Sequence, residues 1–199
     1  MDEHHTIIFI SGGVRSGKSR FAEELAIQKA AKHGGCLHYI APGTPSDDEM
    51  KSRIQKHQAD RMRSGQSWKT WEQHRSLHLL SGNFDRSDVV LLDCLTTLVN
   101  NELFHSAKEE WNADQLEEIK HSILSAAVML SRECSTLILV SNEVFFDTVQ
   151  NSTLVYAYMK LLGELHQEIV KEARDAYLVE AGIAMKMKGG RQAWQLDCM

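Results

Sequence analysis

Gly12, Gly17, Lys18 and Ser19 carry the plainest chemistry in this chain. They stand in the spacing G-x-x-x-x-G-K-S, over Gly12-Gly13-Val14-Arg15-Ser16-Gly17-Lys18-Ser19. A phosphate needs several donors converging on a small volume, and backbone N–H groups supply them where no side chain intrudes. Gly12 and Gly17 permit that approach and the dihedrals it requires. A helix opening near Lys18 points its free N–H groups and the positive end of its dipole at the anion. In such a loop the lysine reaches the terminal phosphates, and the hydroxyl that follows it is offered to Mg2+. The implied ligand is a nucleotide.

Other residues could act beside that loop. Asp93 closes the apolar run Val89-Val90-Leu91-Leu92. A carboxylate at the carboxyl end of a strand faces the ligand crevice of an open α/β sheet. Asp93 therefore either shares Mg2+ with Ser19 or caps the next helix through Thr96. Glu143 follows a second apolar run and is either a base or metal-orienting carboxylate, or the cap of a backbone turn. Arg53, His57 and Arg61 recur at i, i+4, i+8 and share one helical stripe. They are either a half-buried histidine beside solvated arginines, or a histidine nucleophile or base flanked by guanidiniums that grip phosphates. Trp68 and Trp71 either stack on a base or fill core.

The elements that must position these groups follow from composition and periodicity. The run Ile7-Ile8-Phe9-Ile10 reads as a strand before the loop. Residues 20–33 read as a helix with an acidic first turn, with Phe21, Leu25 and Ala26 on one face, ended by Gly34-Gly35. Residues 37–41 read as a second strand. After the Pro42-Gly43-Thr44-Pro45 loop, a helix with Ser46 as N-cap runs to about residue 63. Residues 68–72 are a short strand or an ordered loop. Strands are expected at 88–93, 136–140, 176–180 and, half-exposed, at 183–188. Helices are expected at 95–104, 115–132 and 152–174. Strands that alternate with helices, with unbroken apolar runs inside, indicate an α/β fold around a mostly parallel sheet covered on both faces. The 199 residues show no linker or repeat, which suggests one domain with loose ends at 1–5 and 189–199.

Bulk properties exclude other classes. A net charge of −5 leaves no basic face, so nucleic acid is not an expected partner. No apolar run approaches the ~20 residues of a membrane span. Cys36, Cys94, Cys134 and Cys198 lie far apart without metal-ligand spacing, and reduced thiols in a cytoplasm fit them. The polar opening MDEHH is unlike a signal peptide.

Taken in order, GGxRSGKSRxAE, YIA, DDEMxxRIxxHxxxR, WxTxE, LLxCxTTxVxN, SNEV and a late AxxxxLVxAG resemble the bifunctional adenosylcobinamide kinase / adenosylcobinamide-phosphate guanylyltransferase family, from about Ile7 to Lys188. The resemblance implies a RecA-like P-loop domain with an antiparallel C-terminal strand, assembled as a homotrimer. It implies two reactions. A nucleoside triphosphate, ATP or GTP, phosphorylates the aminopropanol hydroxyl of adenosylcobinamide. GTP then transfers GMP to adenosylcobinamide phosphate through a GMP-histidine intermediate. The family's guanylylated histidine falls on His57, and its nucleotide contacts fall on Gly12, Gly13, Val14, Arg15, Ser16, Gly17, Lys18, Ser19 and Arg20, on Gly43, Thr44 and Pro45, and on Arg61, Glu72 and Asp93.

Elementary acid–base chemistry favours His57 over its neighbour Lys56. An unperturbed imidazole (pKa ~6.5) is mostly neutral at pH 7, whereas an unperturbed lysine (pKa ~10.4) frees its lone pair in roughly one molecule per few thousand. A nucleophile needs that lone pair. Arg53 and Arg61 could stabilise charge developing on the α-phosphate and the leaving pyrophosphate. The chain departs from the family pattern at Phe145–Gln150, where glycines and a proline are usual, at Tyr156–Lys160, where an R-x-F-R-D-like segment is usual, and at His166-Gln167, where an Asn-Gln pair is usual. The altered segments are expected to border the corrinoid or the kinase acceptor.

Overall fold

The computed structural model describes residues 6–43, 61, 65–105, 111–143 and 153–190. Among the described residues seven strands form one sheet: β1 (Thr6–Ser11), β2 (Leu37–Ala41), β3 (Trp68–Glu72), β4 (Val89–Asp93), β5 (Thr136–Val140), β6 (Asp175–Glu180) and β7 (Ile183–Lys188). Their spatial order is β3-β2-β4-β5-β1-β6-β7. All neighbours run parallel except β6 and β7. The strand that leads into the glycine loop is thus separated from the strand ending in Asp93 by one inserted strand, β5. This is the RecA-like arrangement, and the α/β fold with an antiparallel final strand is as the sequence indicates.

The helices among the described residues are α1 (Lys18–His33), α2 (Leu95–Phe104), α3 (Ala113–Glu133) and α4 (Thr153–Glu172). They split the interior into two cores. On one face α1 lies across β4 and β5, burying Ala22, Ala26 and Ala30 against Ile8, Ile10, Leu91, Ile138 and Val140. Alanines at i, i+4, i+8 let the helix axis approach the sheet closely. Phe21 and Leu25 flank this stripe half-buried. On the other face α2, α3 and α4 bury Leu98, Val99, Leu130, Leu162, Leu165 and Ile169 against Phe9, Leu92 and Leu137. Burial on both faces explains why β1, β4 and β5 are continuous apolar runs.

Two helices open two residues earlier than expected. Helix α1 opens at Lys18, two residues early, so its first turn carries no carboxylate; Glu23 and Glu24 fall in the second turn. Helix α3 opens at Ala113 because Asn112 and Gln115 form a reciprocal capping box. A 3₁₀ turn, Leu77–Leu80, seats two leucines in the core. Residues 68–72 resolve as an edge strand, not a loop.

In β7 the lysines turn inward. Lys186 pairs with Asp175 at 2.6 Å. Lys188 donates to the carbonyls of Val170 and Lys171 at the end of α4, where a cation suits the helix dipole. Ile183, Met185 and Met187 are exposed in consequence. Among the described residues no helix is long and apolar enough to cross a membrane.

Candidate functional site

The glycine loop is shaped by three backbone demands. Gly12 has φ +155°, and a Cβ there would lie 2.2 Å from the Val179 carbonyl oxygen. Gly17 takes φ +95° as the N-cap of α1 and offers no capping side chain. Arg15 sits at φ 59°, which turns the loop back on itself. The loop is pinned from outside by the Gly182 N–H, which donates to the Ser16 carbonyl at 2.8 Å, and from within by the Ser16 N–H, which donates to the Gly13 carbonyl at 3.2 Å.

Within this frame Lys18 is buried, and its ammonium donates to the Gly13 carbonyl at 2.9 Å. The ammonium is thereby held at the loop it would share with a phosphate. The Ser16 hydroxyl is buried without a partner. An unpartnered buried donor beside an open helix N-terminus suits an anion that brings its own oxygens. Ser19 is half-buried in the first turn, while Val14 and Arg15 are exposed at the tip. Arg20 is exposed and pairs with Glu24 at 2.9 Å.

Asp93 ends β4 at the same sheet edge. Its Oδ2 accepts the Tyr39 hydroxyl at 3.3 Å. The N-cap of α2 is Cys94, without a side-chain cap, so Asp93 does not serve as the cap of the next helix. Burial, with the Asp93 carboxylate beside it, holds the Tyr39 phenol well above its usual range, so the phenol stays a donor. Over the Tyr39 ring lies the Arg61 guanidinium, 3.7 Å from the centroid. Arg61 also donates to Glu23 of α1 at 3.3 Å, and both side chains are nearly shut off from solvent. A line of four side chains, Glu23–Arg61–Tyr39–Asp93, therefore joins the phosphate-loop helix to the carboxylate of β4.

Glu143 lies beyond the end of β5, and its carboxylate accepts the Ser11 hydroxyl at 3.1 Å. Beside it the Asn142 amide donates to the Thr96 hydroxyl at 2.9 Å. Ser141 meets the His166 ring at 2.7 Å. Glu72 is exposed at the end of β3, and the following loops are tied together by Asn101, which donates to the carbonyls of Pro42 and His74. Gly43 follows Pro42 on this edge. Trp68 and Trp71 are both half-buried. Trp68 meets Tyr39 edge-on, and the Trp71 indole N–H donates to His38 at 3.1 Å, so both work as core. His57, Arg53, Thr44 and Pro45 lie outside the described residues, as does Phe145–Gln150.

The loop, Asp93 and Glu143 thus share the carboxyl edge of the sheet, where the parallel topology opens its crevice. Tyr39 and Glu23 were not singled out from sequence. A tyrosine near the end of a buried strand needs a partner for its hydroxyl, and that need was the available signal. Among the described residues no group of three or more His, Cys, Asp or Glu is arranged to hold a metal by itself.

The family described as "CobU: Cobinamide kinase / cobinamide phosphate guanyltransferase" matches residues 8–187. The bifunctional adenosylcobalamin biosynthesis protein CobU of Escherichia coli (strain K12) is 32% identical over 188 residues, covering 92% of this chain and 99% of that protein. Its counterpart in Salmonella typhimurium is 33% identical over 188 residues, with the same coverage. Among solved structures, the flagellar accessory protein FlaH from Methanocaldococcus jannaschii shares the fold, at a TM-score of 0.50 and 14% identity, over 95% of this chain and 83% of that one.

Proposed function

The chain belongs to the cobinamide kinase / cobinamide phosphate guanyltransferase family, and on that premise we propose that it acts twice on one corrinoid alcohol. First it moves the terminal phosphoryl group of a nucleoside triphosphate to the aminopropanol hydroxyl of adenosylcobinamide. It then guanylylates the resulting phosphate. In the second reaction a neutral His57 nitrogen attacks the α-phosphorus of GTP, and the bond to pyrophosphate breaks. The phosphate oxygen of adenosylcobinamide phosphate then attacks that phosphorus, the P–N bond breaks, and adenosylcobinamide-GDP leaves.

The observation that carries this reading is the anchorage of Arg61. Its guanidinium is lodged between Glu23 of α1 and the Tyr39 ring. His57 stands four residues before it, and four residues of even fully extended chain span no more than about 14 Å. That short span supports an imidazole within reach of a triphosphate held at the phosphate loop. The Gly12–Arg20 loop supplies the grip, with Lys18 on the terminal phosphates. In this reading Gly43, Thr44, Pro45 and Glu72 line the nucleotide, Arg53 meets phosphate charge, and Arg61 serves at the same pocket from its anchored position.

Mg2+ fits the donor set. Mg2+ takes one or two protein oxygens together with substrate phosphates and water. The Ser19 hydroxyl and Asp93 would hold it, with one Asp93 oxygen engaged by Tyr39. When bound it would neutralise charge on the phosphates being transferred. The described cysteines Cys36, Cys94 and Cys134 are free, which suits a reducing cytoplasm. We also infer a homotrimer. Edge strand β7, with Ile183, Met185 and Met187 exposed, is chemistry suited to contact between copies.

The test uses α-labelled GTP. Guanylyl transfer predicts a protein adduct that is acid-labile and base-stable, is absent in His57→Asn, and is discharged by adenosylcobinamide phosphate. Transfer of γ-label to the corrinoid with no adduct would reduce the protein to a kinase. Binding without either transfer would overturn both halves.

A further inference from the structure

One carboxylate at the mouth of the loop has no part in the reactions as written. Past the end of β5 the chain keeps alongside β1. The Ser141 N–H donates to the Ile10 carbonyl at 2.9 Å, and the Glu143 N–H donates to the Gly12 carbonyl at 3.1 Å. This is the alternation of a parallel ladder carried on into the loop. The side chain of Glu143 turns to the same place, where its Oε1 accepts the Ser11 hydroxyl at 3.1 Å. Backbone and side chain together therefore fix Glu143 on the first residues of the loop. The next carbonyl along, that of Gly13, receives the Lys18 ammonium at 2.9 Å. The Glu143 N–H and the Lys18 ammonium thus meet consecutive carbonyls of one turn, with the Glu143 carboxylate on Ser11 just before them.

Glu143 has no cationic partner among the described residues, and its second carboxylate oxygen meets no described donor. Asp93 is placed differently. It accepts the Tyr39 hydroxyl, and β5 stands between its strand and β1. Neighbouring strands lie about 4.8 Å apart, so the Asp93 backbone starts about twice as far from the loop strand as that of Glu143.

We propose that Glu143 is the catalytic base of the phosphorylation step. Its carboxylate takes the proton of the acceptor alcohol as that oxygen attacks the terminal phosphorus held at Lys18. The new O–P bond forms while the bond from phosphorus to the bridging oxygen breaks, and the electron pair leaves with the nucleoside diphosphate. The proton then passes from Glu143 to water. This inference rests on the reading that the chain phosphorylates adenosylcobinamide.

Glu143→Gln tests it, because the amide keeps the shape and an oxygen for Ser11 but takes no proton. Three quantities are measured: phosphorylation of adenosylcobinamide, guanylyl transfer to adenosylcobinamide phosphate made separately, and the Kd of the triphosphate. Phosphorylation is expected to fall by about 100-fold or more in kcat, at least about tenfold further than guanylyl transfer, with Kd moved less than about threefold. Glu143→Asp recovers part of the rate. Ser11→Ala, which removes only the bond that aims the carboxylate, lowers phosphorylation by about tenfold without changing Tm. Phosphorylation that survives Glu143→Gln, or two transfers that fall equally, overturns the proposal and makes Glu143 a brace of the loop. A wild-type protein that phosphorylates no corrinoid alcohol fails the family reading itself, and the wild-type control identifies that case.

Discussion

The Arg61 guanidinium sits 3.7 Å from the centroid of the Tyr39 ring, and the hydroxyl of that ring donates to Asp93 at 3.3 Å. One side chain thus answers to two elements, offering its face to a buried cation and its edge to a carboxylate. Tyr39→Phe keeps the face and removes the edge. It is expected to cost about 1.5–3 kcal/mol in urea unfolding, the range for a hydrogen bond to a charged group. Asp93 loses a fixed donor at the same time. Guanylyl transfer is expected to fall by about tenfold in kcat with little change in nucleotide affinity. Equal rates in mutant and wild type would show that Asp93 needs no such support.

Two substitutions in the loop separate grip from frame. Lys18→Ala removes a buried ammonium whose bond in this structure is to the Gly13 carbonyl. The fold is expected to survive. Triphosphate affinity is expected to fall by roughly 10–100-fold in calorimetric titration, as for loss of a charge-assisted contact. Gly12→Ala fails earlier. Its methyl group would lie 2.2 Å from the Val179 carbonyl and 2.9 Å from the Ser16 hydroxyl, so the loop must leave β6 before it meets any ligand. Low soluble yield and a lowered Tm are expected before any effect on binding can be read.

What was legible in the sequence is what local chain physics decides. Apolar runs became β1, β4 and β5, and the glycine loop opened into α1, because each of those signals lies within a few neighbouring residues. Partnerships across the sheet were not legible. Tyr39 meets Asp93 only because β2 and β4, with residues 42–88 between them in the chain, are neighbours in space. Glu23 of α1 and Arg61 meet across 38 positions of chain, which no local pattern signals. The earlier starts of α1 and α3 reflect an αL glycine N-cap and an Asn112–Gln115 box, the second of which an N-x-x-Q reading would have caught. The inward lysines of β7 were hidden because their partners, Asp175 and the last carbonyls of α4, are known only once the hairpin and helix are packed.

A prediction about stability alone concerns the opposite end of β2. His38 accepts the Trp71 indole N–H on Nδ1 at 3.1 Å, so its Nε2 carries the proton and donates to Asp88 at 3.0 Å. Asp88 is buried and also receives the N–H groups of Cys36 and Asp85. His38→Leu leaves the indole unpaired and takes one donor from a buried carboxylate. A loss of about 2–4 kcal/mol is expected, read as a lower urea midpoint at unchanged m. Transfer rates at a temperature where the variant stays folded are expected to match wild type, since this cluster lies at the amino end of the strands, away from the loop.

The pH dependence of stability should carry the mark of His166. Its ring lies tilted against that of Phe9 and meets the buried Ser141 hydroxyl at 2.7 Å. Burial pushes its imidazole down to about 4. An unfolded histidine titrates near ~6.5, so between those two values the unfolded chain binds more protons than the folded one. Stability therefore rises with pH across that window, and the penalty grows as pH falls from about 6.5 towards 4, reaching about 3 kcal/mol once both forms are protonated. Carboxylates titrate in part of the same range, so the wild type is compared with His166→Gln, which cannot charge. Urea unfolding at a series of pH values should show the difference between the two proteins narrowing or reversing in favour of the variant as pH drops below about 6. A difference that stays constant from pH 7 to pH 4 would mean that the ring is charged inside the folded protein, with an acidic partner near Ser141.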